Sequence, residues 1–150
     1  MTIERIISGG QSGADRAGRD AALACGILTG GWVPHGRKTE NGPLSTEEMR
    51  RYGLQEHPSR GYPARTEQNV RWADATLIFG DPTSSGSQLT IRLCRMHSKP
   101  YLSVGKGDEI LIRGWLNTQH VRVLNVAGNR ESVNPGIYQI TLTTLIKALS

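Results

Sequence analysis

The chain has 150 residues, 37% of them hydrophobic, and a mean hydropathy of -0.39. These values fit one soluble domain with a single substantial core and leave no run near the roughly 18 apolar residues of a membrane helix. Eighteen basic against 13 acidic residues give a net charge of +5, carried mainly by arginine, yet no DNA- or RNA-binding motif accompanies it, so nucleic acid is not an expected partner.

Residues 3–8 read as a first strand, which runs into Gly9-Gly10-Gln11-Ser12-Gly13. From Ala14, the small or apolar residues Ala17, Ala21, Ala24 and Cys25 recur at helical spacing, and Gly26 stops that helix. Residues 27–33 read as a second strand. Strand, helix and strand with short joints form a βαβ unit, so the two strands are expected parallel with a right-handed crossover.

Residues 34–63 hold four of the seven prolines and read as a long irregular insertion within the single domain 1–150. Within it, Ser45-Thr46-Glu47-Glu48 is a capping box that opens a short helix, and Gly53 ends it. So long a connection is either a functional loop, pinned here by Trp32, Tyr52 and Tyr62, or a disordered one.

Pro63 suits the first turn of a helix running through Ala73. Ala75 to Phe79 is the clearest strand, ended by Gly80-Asp81-Pro82. A polar loop, Thr83 to Ser87, leads to a helix marked by Leu89, Leu93 and Met96. Strands at 101–104 and 121–126 flank a helix at 109–119, and a helix at 136–149 closes the chain. The alternation predicts an α/β fold: a three-layer, Rossmann-like, doubly wound parallel sheet of about five strands with helices on both faces. The expected strand order is 2-1-3-4-5. The ligand crevice then opens between strands one and three at their carboxyl ends, flanked by the loops Gly9–Gly13 and Asp81–Ser87.

The first loop is neither a Walker loop, because no Gly-Lys-Ser/Thr follows, nor G-x-G-x-x-G. Trp32 and Val33 stand where a dinucleotide-binding domain places an acid for the ribose. What remains is a general anion cradle at a helix N-terminus, or a tight turn whose glycines serve backbone geometry alone. On the cradle reading, a side chain at Gly10 fills the volume of a phosphate. Ser85, Gly86, Ser87 and Thr90 offer hydroxyls and N–H groups to a second anionic group, or simply a helix cap. Arg16 and Arg19 lie early in the first helix. Arg37, just past strand two, is expected at the crevice mouth with a charge-assisted hydrogen bond to the ligand. Arg65, Thr66 and Asn69 lie in the helix before strand three, where a surface role suits Arg65 equally. Arg130 follows strand five and either meets the ligand or pairs with a neighbour. Asp15, Asp81 and Glu131 are within reach of the crevice, although cap or turn roles account for each. No nucleophile elbow or paired-carboxylate constellation is visible. The isolated Cys25 and Cys94 and four scattered histidines make no metal-ligand spacing, so no protein-ligated metal is expected. The amino terminus lacks the basic and apolar regions of a signal peptide, and a cytoplasmic location is expected.

Several stretches resemble the molybdenum cofactor carrier family, part of the Rossmann-like superfamily shared with the lysine-decarboxylase-like nucleotide phosphoribohydrolases. They are Ser8-Gly9-Gly10-Gln11-Ser12-Gly13-Ala14-Asp15-Arg16, Gly30-Gly31-Trp32-Val33-Pro34-His35-Gly36-Arg37, the segment from Tyr62 to Val70, Gly86-Ser87-Gln88-Leu89-Thr90, and the segment from Asn125 to Tyr138. The resemblance implies a carrier that binds the molybdenum cofactor (molybdopterin, a pterin with a phosphate) or a nucleotide, and a homo-oligomer, a dimer or higher. It implies a ligand site drawn from Gly9, Gly10, Gln11, Ser12, Gly13, Arg16, Trp32, Arg37, Asn69, Ser85, Gly86, Ser87, Thr90 and Arg130. The phosphoribohydrolase relatives carry Pro-Gly-Gly-x-Gly-Thr-x-x-Glu in the second loop, and the catalytic glutamate has no counterpart in Ser85 to Leu93. A binding role without turnover is therefore expected, with a nucleotide-processing enzyme or a nucleotide-sensing regulatory module as the alternatives.

Overall fold

A computed structural model describes residues 2–150. In chain order the elements are β1 (Arg5–Ile7), α1 (Ala14–Ala24), β2 (Leu28–Val33), α2 (Thr46–Tyr52), β3 (Leu54–Glu56), α3 (Tyr62–Trp72), β4 (Ala75–Phe79), α4 (Ser85–Met96), β5 (Tyr101–Val104), α5 (Glu109–Gln119), β6 (Val123–Gly128) and α6 (Ile137–Leu149). All strand pairs are parallel. Helices α1, α5 and α6 cover one face of the sheet, where Ile6, Leu77, Phe79, Leu124 and Val126 meet Ile112, Leu116, Ile137 and Leu145. On the other face, Val70 of α3 packs with Leu93 and Cys94 of α4. Each fully buried Leu, Ile or Phe of this kind contributes about 1.5–3 kcal/mol.

Two expectations about the sheet need correction. It has six strands rather than five, and its order is β3-β2-β1-β6-β4-β5 rather than 2-1-3-4-5. The last strand lies in the centre, between β1 and β4, where two glycines permit its close packing. A Cβ on Gly18 of α1 would stand 2.7 Å from Val126 Cβ, and one on Gly128 would stand 2.2 Å from the Phe79 carbonyl oxygen. Counted from β6, the strands run outward, with β1, β2 and β3 to one side and β4 and β5 to the other. That is a doubly wound sheet whose central strand is the last in the chain.

The 34–63 segment is more regular than expected. Ser45 Oγ accepts from the Glu48 N–H at 3.0 Å, and the Glu48 side chain accepts from the Ser45 N–H at 3.4 Å, so the capping box forms. The three-residue β3 then extends the sheet beyond β2. Leu54 packs with Val33, Leu44 and Tyr52 in a small core of its own. With only one apolar side chain, β3 has no periodicity for a sequence reading to detect. The segment is tied to the rest of the domain by Glu40, which accepts hydrogen bonds from the hydroxyls of Ser12 and Ser132. The Glu40 N–H donates to Gln11 Oε1 at 2.9 Å. Among the described residues, no helix is long and apolar enough to cross a membrane.

Candidate functional site

A crevice of about 330 Å³ opens at the carboxyl ends of the strands. The loop after β1 supplies Gln11, α1 supplies Asp15, α3 supplies Tyr62, Arg65 and Thr66, α4 supplies Ser85, Gly86 and Thr90, and the segment after β6 supplies Asn129 and Arg130. It therefore lies where winding reverses, as doubly wound sheets place their ligands. The expected flanking loops are both present, but the β6 segment stands between them as a floor.

The glycine loop is built differently from the expected cradle. Gly10 and Gly13 hold φ of 83° and 71°, conformations that cost other residues dearly. A Cβ on Gly10 would meet Val33 Cγ1 at 2.5 Å, and one on Gly13 would meet the Asn129 carbonyl oxygen at 2.4 Å. The Gly10 Cβ direction thus runs into the core rather than into a phosphate volume. The donors at the start of α1 are also claimed from within. The Gln11 N–H donates to Asp15 Oδ2 at 3.1 Å, the Ser12 N–H to Gln11 Oε1 at 3.0 Å, and the Ala14 N–H to the Asn129 carbonyl at 3.1 Å. The Asp15 carboxylate occupies the place at this helix N-terminus that an anionic ligand would take.

Asp15 is 5% exposed. Burial pushes its carboxyl pKa up, while the Arg65 guanidinium and the loop N–H groups pull it back. Arg65 Nη1 stands 4.0 Å from Asp15 Oδ2 and donates to Thr66 Oγ1 at 3.1 Å. The guanidinium lies 5.3 Å from the Tyr62 ring centroid and directly over Gly9, where a Cβ would meet Nη1 at 2.1 Å. Gly9 is thus the floor on which Arg65 rests, and Arg65 belongs to the crevice rather than to the surface.

The opposite wall is the amino end of α4. Ser84 caps it, its Oγ accepting from the Ser87 N–H at 3.3 Å and from Asn129 Nδ2 at 3.0 Å. Asn129 Oδ1 accepts from the Asp81 N–H at 2.6 Å, which stitches the β4 loop to the β6 segment. Ser85 and Gly86 form the first turn at the crevice wall, and that turn has no acidic residue. Their backbone N–H groups precede any intrahelical partner and are available to an anion. Ser87 Oγ is buried with no hydrogen-bond partner among the described residues, and Thr90 Oγ1 donates to the Gly86 carbonyl at 3.1 Å. Arg130, half exposed at the rim, lies 3.7 Å from Glu40.

Of the residues expected in the site, Gln11, Ser85, Gly86, Thr90 and Arg130 therefore line the crevice, and Ser87 is buried just behind it. Gly10, Ser12 and Arg16 line a separate, smaller cavity beyond the loop. Three do not come together with them. Asn69, 1% exposed, accepts from the Trp32 N–H at 2.8 Å and donates to the Trp32 carbonyl at 3.0 Å, so it fastens α3 to β2. The Trp32 ring meets His57 edge-on, 5.8 Å between centroids. Arg37 pairs with Glu56 at 3.4 Å and donates to Thr46 Oγ1 at 3.0 Å, away from the crevice. Asp81 and Glu131 hold the turn and cap roles: Asp81 accepts from Thr83, and Glu131 accepts from the N–H groups of Gly136 and Tyr138 at the start of α6. Sequence reasoning gave Asp15 a cap or turn role, which its bond with the Gln11 N–H fits, left Arg65 open between site and surface, and missed Tyr62 and Asn129 as crevice residues. An acid two residues past the loop and an arginine beside a helix-opening Tyr-Pro were the available signals.

The family model described as "Circularly permutated YpsA SLOG family" matches residues 6–149. The crystal structure of a protein named "Putative molybdenum carrier protein", from Syntrophus aciditrophicus SB, superposes with a TM-score of 0.90 at 40% identity, covering 99% of this chain and 96% of that one. No curated protein matches the chain. A central strand that comes last in the chain agrees with a permuted connectivity, and the chain belongs to the circularly permutated YpsA SLOG family.

Proposed function

We propose that this protein is a carrier that holds a phosphate-bearing pterin or nucleotide in the crevice without turning it over. The observation that carries the reading is the contrast between two helix N-termini at one crevice. That of α1 is closed by Asp15, while that of α4 offers the Ser85 and Gly86 N–H groups. A phosphate seated there meets the positive end of the α4 dipole, with Arg130 at the rim. The volume of about 330 Å³ lies at the lower end of small-molecule sites and suits a bicyclic base with a phosphate arm. The name of the Syntrophus protein supports a molybdenum-bearing cargo. Neither Cys25 nor Cys94 lines the crevice, and the metal of such a cargo is proposed to travel on its pterin. The carrier is further proposed to work as a homo-oligomer in the cytoplasm.

The test is calorimetric titration with GMP and with a pterin phosphate, followed by chromatography of the incubated mixture. Binding with intact ligand recovered is the expected result. A second reading, hydrolysis of the glycosidic bond, has Asp15 in its favour, because a buried carboxyl with a raised pKa suits proton transfer. Release of free guanine would establish that reading and overturn the carrier.

A further inference from the structure

We propose that the second cavity, on the far side of the glycine loop from the crevice, binds a small tetrahedral oxyanion through the buried guanidinium of Arg19. The cavity measures about 180 Å³ and lies between α1, residues 39–44 and α2. Gly10, Ser12, Arg16, Arg19, Asn41 and Glu48 are among its lining.

Arg19 carries the argument. It is 2% exposed, the largest of the fully buried side chains, yet its Nε and Nη1 have no hydrogen-bond partner among the described residues. Nη2 comes no closer than 4.0 Å to Glu48 Oε2, beyond hydrogen-bond distance. One face of the guanidinium is covered by the Tyr52 ring, 4.7 Å to the centroid, which leaves its donor edge as the route of contact. Burying a charged fork with its donors unmatched is costly, and oxygen acceptors remove that cost. An oxyanion presents them in the planar, paired arrangement that guanidinium matches best.

The surrounding charges leave room for an anion. Arg16 lines the cavity as well, 3.8 Å from Asp20. Of the acids near Arg19, Asp15 is engaged by Arg65 and the Gln11 N–H, and Asp20 by Arg16 and by the hydroxyls of Tyr52 and Tyr138. Among the described residues Glu48 is the one carboxylate that lines the cavity, and it opposes binding. The volume limits the ligand to an ion with a few waters, since pterins and nucleotides need a site of roughly 300 Å³ or more. Phosphate, sulfate and molybdate share this chemistry.

The experiment is thermal unfolding of the whole chain in millimolar phosphate, sulfate or molybdate against chloride at matched ionic strength. Calorimetry then gives the affinity of the responding anion. The unfolding midpoint of the unaltered protein is expected to rise with at least one of the three, the strongest response identifying the preferred ion. Arg19→Met is expected to lose that rise and to weaken the affinity at least about tenfold. Arg65→Met, which disables the crevice, is expected to keep it. Glu48→Gln retains the capping box, because Gln serves at that position, and removes the opposing charge; its affinity is expected to increase about threefold. This variant keeps the test decisive if Arg19→Met does not fold. No rise with any of the ions, or unchanged affinity in Glu48→Gln, overturns the proposal. A rise abolished by Arg65→Met but kept by Arg19→Met also overturns it and places the anion in the crevice.

Discussion

Replacing Arg65 by Met keeps an unbranched apolar stem but removes the counter-charge of Asp15. The two groups stand 4.0 Å apart with side chains 13% and 7% exposed. At an effective dielectric constant of about 20, unit charges at this separation attract by about 4 kcal/mol. That agrees with the roughly 3–5 kcal/mol lost when one partner of a buried pair is removed. Protonation of Asp15 sets a ceiling on the loss. Neutralising an aspartate, whose carboxyl ordinarily titrates at 3.8, costs about 1.4 kcal/mol per pH unit above that value. The ceiling is then about 4 kcal/mol near pH 7 and about 2 kcal/mol near pH 5. The sign follows from the raised folded pKa. Asp15 favours the fold below its unfolded pKa, and this contribution is lost as pH climbs toward the folded value. Removing Arg65 raises that folded value further and widens the window of loss. Urea unfolding near pH 5 and near pH 7 reads the difference directly. A deficit in Arg65→Met that is the same at both values, or larger at the lower one, refutes the coupling of Asp15 to Arg65.

Gly10→Ala is expected to destabilise the fold by about 2–4 kcal/mol through left-handed backbone strain and overpacking against Val33; a loss under about 0.5 kcal/mol in denaturant unfolding refutes the backbone role of this glycine. Asn69→Leu is expected to cost about 2–3 kcal/mol, because it leaves both Trp32 backbone groups unpaired, while crevice affinity measured by calorimetry on the folded variant stays the same. Arg37→Ala is expected to cost less than about 1 kcal/mol, as a partly exposed ion pair does. Weaker ligand binding in that variant would return Arg37 to the crevice mouth.

The sequence by itself determined most of the local structure. The capping box at Ser45 and Glu48, the glycine stop at Gly53, the proline in the first turn of α3 and the apolar run from Ala75 to Phe79 each encode their element within a few residues. The two loops flanking the crevice were legible for the same reason, since each joins a buried strand to a helix start. Only the tertiary structure decided where β6 goes. That depends on contacts between Gly18 and Val126 and between Gly128 and Phe79, which no periodicity within one segment records. It also decided how the glycine loop is used. A glycine-rich turn ahead of a helix looks alike whether its donors await a ligand or are met by an acid four residues on, and here Asp15 meets the Gln11 N–H. The burial of Arg19 and Arg65 was hidden too, because a long cationic side chain reads as surface until the ring or backbone that covers it is in place. Local chemistry therefore located the crevice edge of the sheet, while packing set the α4 N-terminus in its wall and placed the Asp15–Arg65 pair beside it.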